Sequence, residues 1–123
     1  MLPAAIQQFI QKATARAQWF EEGEVHVYLR NAKHCIRTDK GACMLDTVDV
    51  ASITVDNAGQ GHFTRFLADL EEAMPKLAPT RTIFVENVLS PRFAQFFEKR
   101  GYIQCNPPDI CFIRPTGNYP IRP

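Results

Sequence analysis

The stretch that most constrains this chain runs from Ile53 to Leu67. Ile53 and Val55 close an apolar strand pattern, and Asp56, Asn57, Ala58, Gly59, Gln60 and Gly61 interrupt it. Phe63, Phe66, Leu67, Leu70 and Met74 then recur at helical spacing. A short buried strand follows at Thr82–Val85, so strand, glycine loop, helix and strand form one crossover unit. The loop also has a chemical consequence. The first turn of a helix leaves backbone N–H groups unpaired at the positive end of its dipole. Glycines let an anion approach that backbone without a side-chain clash. The segment is either a cradle for a pyrophosphate or a tight turn that needs glycine for its geometry alone.

The rest of the chain builds around that unit. Ile6, Phe9, Ile10, Ala13, Ala17 and Phe20 predict a helix over residues 4–20, with Gly23 as its stop. Val25, Val27 and Leu29 alternate with His26, Tyr28 and Arg30, the period of a half-buried strand. Asn31 and Ala32 are expected to turn it back into a second strand at 33–38, and Asp39, Lys40 and Gly41 mark another turn. Residues 44–55 form a long strand in which Val48 and Val50 differ in parity from Ile53 and Val55, so a one-residue bulge is expected near Ala51. Pro75 and Pro79 are expected to close the helix after the loop. Ser90 caps a last helix with Pro91 in its first turn, Phe93, Phe96 and Phe97 give it an apolar face, and Gly101 ends it. Two strands at 102–105 and 110–114 and an irregular, mobile tail at 115–123 complete the chain. The predicted order is α-β-β-β-α-β-α-β-β in one domain over residues 1–123: an α/β (α+β) fold with a central mixed sheet and helices on both faces.

Composition narrows the function classes. At 123 residues, the chain has apolar surface for a single core. Fourteen Lys and Arg against thirteen Asp and Glu leave a net charge of +1, which argues against nucleic acid as a partner. No apolar run is long enough to span a membrane, and the N-terminus has no secretory signal pattern, so a cytoplasmic setting is expected. Cys35, Cys43, Cys105 and Cys111 have no metal-knuckle spacing and read as free thiols, with no metal.

A second segment sharpens the reading of the first. It runs Val85-Glu86-Asn87-Val88-Leu89-Ser90-Pro91 and ends in Phe96-Phe97-Glu98-Lys99-Arg100-Gly101-Tyr102. Together the two segments resemble the acetyl-CoA-dependent N-acetyltransferases of the GNAT superfamily. That family pairs a (Q/R)-x-x-G-x-(G/A) loop with an Asn-bearing next strand and a helix ending in a phrase like F-Y-E-K-x-G-F. The likeness covers residues 48–114, and the compact size is similar to that of small phage or bacterial members. The resemblance implies that acetyl-CoA, or CoA, lies with its pyrophosphate at Gly59, Gln60, Gly61, His62, Phe63 and Thr64. The pantetheine arm would pair with the backbone from Ile53 to Val55. Asn87 would sit opposite on the next strand, with Phe93 and Phe97 lining or supporting that wall.

Three positions depart from the family pattern. Ala58 stands where Gln or Arg is usual, and Phe63 where a second small residue is usual. Phe97 takes the place of a Tyr that in many members protonates the leaving CoA thiolate. A thiol with pKa near about 8.5 is a tolerable leaving group unaided. The short N-terminal part implies an acceptor site that is open or completed by a second subunit of a homodimer. For the base that takes the amine's proton, the carboxylates of the long strand stand out: Asp49 first, then Asp46, with Glu86 beside Asn87 as a lesser candidate. The structural alternative is that these acids face solvent or an Arg. His26, His34 and His62 are further proton carriers. The function implied is transfer of an acetyl group to an amine of a small molecule or a protein. The alternative is an inactive binding or inhibitory module on the same scaffold.

Overall fold

The computed structural model describes residues 1–12, 16–56, 59–88 and 90–115. Its elements are α1 (Ala4–Gln11), β1 (Ala17–Glu22), β2 (Val25–Thr38), β3 (Gly41–Val55), α2 (His62–Leu77), β4 (Thr82–Val85), α3 (Pro91–Lys99), β5 (Ile103–Cys105) and β6 (Cys111–Ile113). They build a mixed α/β fold with one six-stranded sheet in the order β1-β2-β3-β4-β6-β5. Among the described strands only β3 and β4 run parallel, joined by the crossover through α2; the other described pairs are antiparallel.

The letters of the predicted order hold, but two elements carry them differently. Residues 17–22 are β1 and not the end of a helix, because Phe20 reaches Phe9 as well from a strand as from a helix (ring centroids 5.4 Å apart) and the backbone gains β2 as a partner. Asn31 and Ala32 make no turn, and β2 runs unbroken for 14 residues. Asn31 is buried yet satisfied. Its side chain donates to the Phe9 carbonyl at 3.0 Å and accepts from Arg81 Nη1 at 2.7 Å, so burial leaves no orphan polar group.

Pro75 also fails to end its helix. It has no N–H to give the Glu71 carbonyl, and Arg114 Nη1 donates there instead at 3.0 Å, so α2 continues to Leu77. Ser90 does cap α3, accepting from the Phe93 N–H at 3.5 Å. The bulge falls at Ala51: Tyr28 pairs with Ser52 and Leu29 with Val50, leaving Ala51 opposite no residue.

The sheet has two unlike faces. Val27, Leu29, Val48, Val50, Ile83, Val85 and Phe112 join Ile6, Ile10, Leu67, Leu70 and Phe97 in one large core. All three described helices contribute to it. The opposite face holds a smaller cluster of Ile36, Leu45, Phe84, Cys105, Cys111 and Ile113, with no helical residue. The far end of the β2–β3 hairpin reaches β5 on that side, where the Asn106 N–H donates to the Arg37 carbonyl at 2.8 Å. The expected cover of helices on both faces is therefore a helical layer on one face and a folded-over hairpin on the other. Residues 116–123 of the expected tail lie outside the described residues.

Candidate functional site

The site is where β3 and β4 part. Their parallel register runs from Thr47↔Thr82 to Val50↔Val85, while β3 continues to Val55 paired on its β2 side. Two local features open the gap. The bulge at Ala51 bends β3. Asn87, just past β4, has φ 52°, and the next N–H, of Val88, donates to the Ile110 carbonyl at 2.8 Å, drawing the chain toward β6.

The gap holds two adjoining cavities. The inner one, about 290 Å³, is lined by Val50, Ala51, Ser52, Ile53, Phe63, Val85, Glu86, Asn87, Val88, Phe93 and Phe97. The outer one, about 720 Å³, is lined by Ile53, Val55, Gly59, Gly61, His62, Phe63, Thr64, Ser90, Arg92, Phe93 and Phe96. They share Ile53, Phe63 and Phe93. The result is one groove from the glycine loop to the point where the strands part. All the residues expected to contact a cofactor line it except Gln60.

The described part of the glycine loop has two left-handed glycines beside the outer cavity. Gly59 and Gly61 have φ 92° and 78°, backbone shapes that L side chains rarely adopt. Gly61 is the N-cap of α2, with no side chain capping the helix, and Gly61, His62, Phe63 and Thr64 line the outer cavity. His62 has its Nε2 2.5 Å from Glu24 and its Nδ1 2.8 Å from Arg65 Nη2, which pins it to the loop's flank. Ala58 lies outside the described residues. Arg92, absent from the sequence reading, lines the outer cavity from the first turn of α3; it is far from the glycine loop along the chain, so no local signal joins the two.

The phenylalanines divide by depth. Phe97 is 2% exposed, packed on Phe63, Tyr102 and Phe112, and forms the floor of the inner cavity. Phe93 is 40% exposed at the rim. No hydroxyl sits at Phe97, and the Tyr102 hydroxyl does not replace it. It is turned away to donate to Glu71 at 2.9 Å, and burial together with the Glu71 charge raises its pKa well above the ordinary 10.0.

The three candidate carboxylates have different fates. Asp46 is half exposed, 3.8 Å from Lys33, and lines neither cavity. Asp49 is wholly buried on the face opposite the helices. It accepts from Arg30 Nε at 3.1 Å and Thr47 Oγ1 at 2.6 Å, and its Oδ2 is 2.7 Å from His34 Nε2. Glu86 lines the inner cavity and is bridged by Arg30 to Asp49. Burial works against the Arg30 charge, but Glu86 and Asp49 hold its pKa above the ordinary value. Sequence reading named an Arg as the structural partner of these acids without saying which. His34 entered it only as one of three proton carriers, because nothing local ties residue 34 to residue 49.

Comparison with solved structures gives the same architecture. AtaT complexed with acetyl-methionyl-tRNAfMet superposes with a TM-score of 0.59 at 16% identity over 75% of this chain and 62% of that one. A Tyr-to-Phe mutant of the AtaT toxin bound to the C-terminus of the antitoxin AtaR and acetyl-CoA gives 0.54 at 19%, over 75% and 58%. A Tyr-to-Phe mutant of KacT gives 0.57 at 17%, over 81% and 69%. The fold is that of the GNAT acetyltransferases. At these identities the likeness is one of fold, and the chain spans about three fifths of the AtaT chains it matches. No family model and no curated protein matches the sequence.

One expectation is corrected. Net charge was read as arguing against nucleic acid, yet a protein of this fold is solved with a charged tRNA. A whole-chain charge of +1 says nothing about how cations are distributed locally, so the exclusion does not stand. No described helix is long and apolar enough to cross a membrane.

Proposed function

We propose that the protein is an acetyl-CoA-dependent N-acyltransferase. The observation that carries this reading is the continuous groove from the Gly59–Thr64 loop to Asn87, along a β3 edge left free beyond Val50. Such a groove suits a ligand with an anionic diphosphate at one end and an extended amide-bearing arm at the other. The loop N–H groups and Arg92 would take the diphosphate. The backbone of Ile53 and Val55 would pair with the arm, and the thioester would reach Glu86 and Asn87. Catalysis would rest on positioning, with a β3 backbone N–H at the inner cavity, between Val50 and Ile53, stabilising the tetrahedral oxyanion. Glu86 is the carboxylate best sited to touch the acceptor; Asp49 and Asp46 are not at the groove wall.

The acceptor to test first is the α-amine of an aminoacyl-tRNA, since AtaT is solved with an acetylated one. Polyamines and protein amines are the other arms. Thermal unfolding with acetyl-CoA, and with ATP as the control anion, tests the cofactor. At about a hundred times Kd, acetyl-CoA should stabilise the fold by about 2.7 kcal/mol. Stabilisation by neither ligand would overturn the reading. A second reading, a binding module without activity, is favoured by the missing hydroxyl at Phe97. Acetyl-CoA binding with no transfer to any of the amines would select it, and Phe97→Tyr should then restore turnover.

A further inference from the structure

Asp49 is 0% exposed and carries three polar contacts that no apolar core needs. A buried carboxylate costs free energy unless it is paired, and a pair that exists for stability alone is often replaceable by apolar groups. One nitrogen of His34, one oxygen of Asp49 and one of Glu86 lie within 4.8 Å of one another, and Glu86 lines the inner cavity. These three would also serve as metal ligands, but the Arg30 guanidinium already bridges the two carboxylates and supplies the local positive charge.

The two nitrogens of His34 are not equivalent. Nε2 is held 2.7 Å from Asp49 Oδ2, and the ring packs on Phe84 with centroids 4.2 Å apart. Among the described residues no protein group takes Nδ1, and the side chain is 22% exposed. A carboxylate fixed against one ring nitrogen sets the tautomer and leaves the other nitrogen's lone pair available.

We infer that His34 is the proton acceptor of the transfer, with Asp49 as its positioning residue and Glu86 holding the incoming amine at the cavity wall. The inference rests on the acyltransferase reading above and deepens it. The amine nitrogen bonds to the thioester carbonyl carbon, and the C–S pair leaves on the CoA sulfur. His34 lines neither cavity, so the proton lost by nitrogen goes to its Nδ1 through water entering beside Glu86. His34 returns it to solvent, which protonates the thiolate, so the absent hydroxyl at Phe97 is not required. The groups facing His34 are Thr47 and Asp49 from β3, Arg30 from β2, and Phe84 and Glu86 from β4 and the residues after it. Cys111 of β6 lies near both carboxylates.

The test uses the full chain. Imidazole nitrogen–proton correlation spectra, with the three histidines assigned through His26→Gln, His34→Gln and His62→Gln, should find neutral His34 with its proton on Nε2. Asp49→Asn should release that preference. Free CoA thiol is followed with acetyl-CoA plus methionyl-tRNA, plus spermidine, or with water alone. His34→Gln should lower kcat by about 10²- to 10⁴-fold and remove one limb of the pH profile, leaving KM for acetyl-CoA unchanged. A proton on Nδ1, a doubly protonated ring at every pH of turnover, or a wild-type pH profile in His34→Gln would overturn the role. Binding of acetyl-CoA with no turnover of any acceptor would also overturn the role. Loss of thermal stabilisation by acetyl-CoA in the wild-type chain would instead defeat the acyltransferase reading.

Discussion

The two faces of the sheet solve different problems with the same strands. On one, Val48, Val50, Ile83 and Val85 meet three helices in a large apolar core. On the other, one residue away along β2 and β3, Arg30, His34, Thr47 and Asp49 form a polar network among Phe84, Cys111 and Ile113. The period of two in a strand makes this possible, since neighbouring residues of one segment face opposite environments. The apolar face supplies stability. The polar face holds charges that cost free energy to bury, next to the point where β3 and β4 separate.

Substitutions should separate the two roles. Asp49→Ala leaves Arg30 and His34 facing an empty buried site and should cost about 3–5 kcal/mol, read by chemical denaturation. A loss under about 0.5 kcal/mol would mean that the network is not a paired buried charge at all. Leu70→Ala, wholly buried under the helical layer, should cost about 2–5 kcal/mol. The fraction that remains folded should still bind acetyl-CoA with unchanged Kd, because Leu70 lines neither cavity. Gly61→Val forces a branched side chain to φ 78° and should cost about 1–3 kcal/mol. It should also abolish stabilisation by acetyl-CoA, which Leu70→Ala should not.

A smaller effect tests the helical face by pH. Burial and Glu71 raise the Tyr102 pKa above its ordinary 10.0, so on raising the pH the unfolded chain loses this proton first. The native state then binds more protons, and stability, fully present below pH 10, falls as pH climbs through it. Tyr102→Phe should flatten that fall while costing about 1 kcal/mol at neutral pH for the lost bond to Glu71.

Much of the scaffold was legible because its signals are local. The parity change in β3 located the bulge at Ala51, Ser90 and Pro91 started α3, and the two glycines marked the loop. Residues 17–20 misled because Ala17 and Phe20 fit a helical spacing as well as a strand, and only pairing with β2 separates the two. Asn31 misled because a turn-forming residue can equally be a buried one when Phe9 and Arg81 supply its partners. Most residues of the groove were nameable, since the loop, Asn87 and α3 each carry a recognisable local pattern. The polar network was not. It joins positions 30, 34, 49 and 86, which meet only through the register of a 14-residue strand on its neighbour and the parallel docking of β4.

The sequence by itself therefore determined most elements from β3 onward, the glycine loop and the apolar stripe of each helix, because propensity, capping and periodicity act over a few residues. Only the tertiary structure decided that all three described helices share one face, that β3 and β4 part beyond Val50 and Val85, and that a buried Asp49 orients His34 beside Glu86. Those outcomes depend on which distant strands pair and in what register, and on the free energy of burying charge, which no single segment carries.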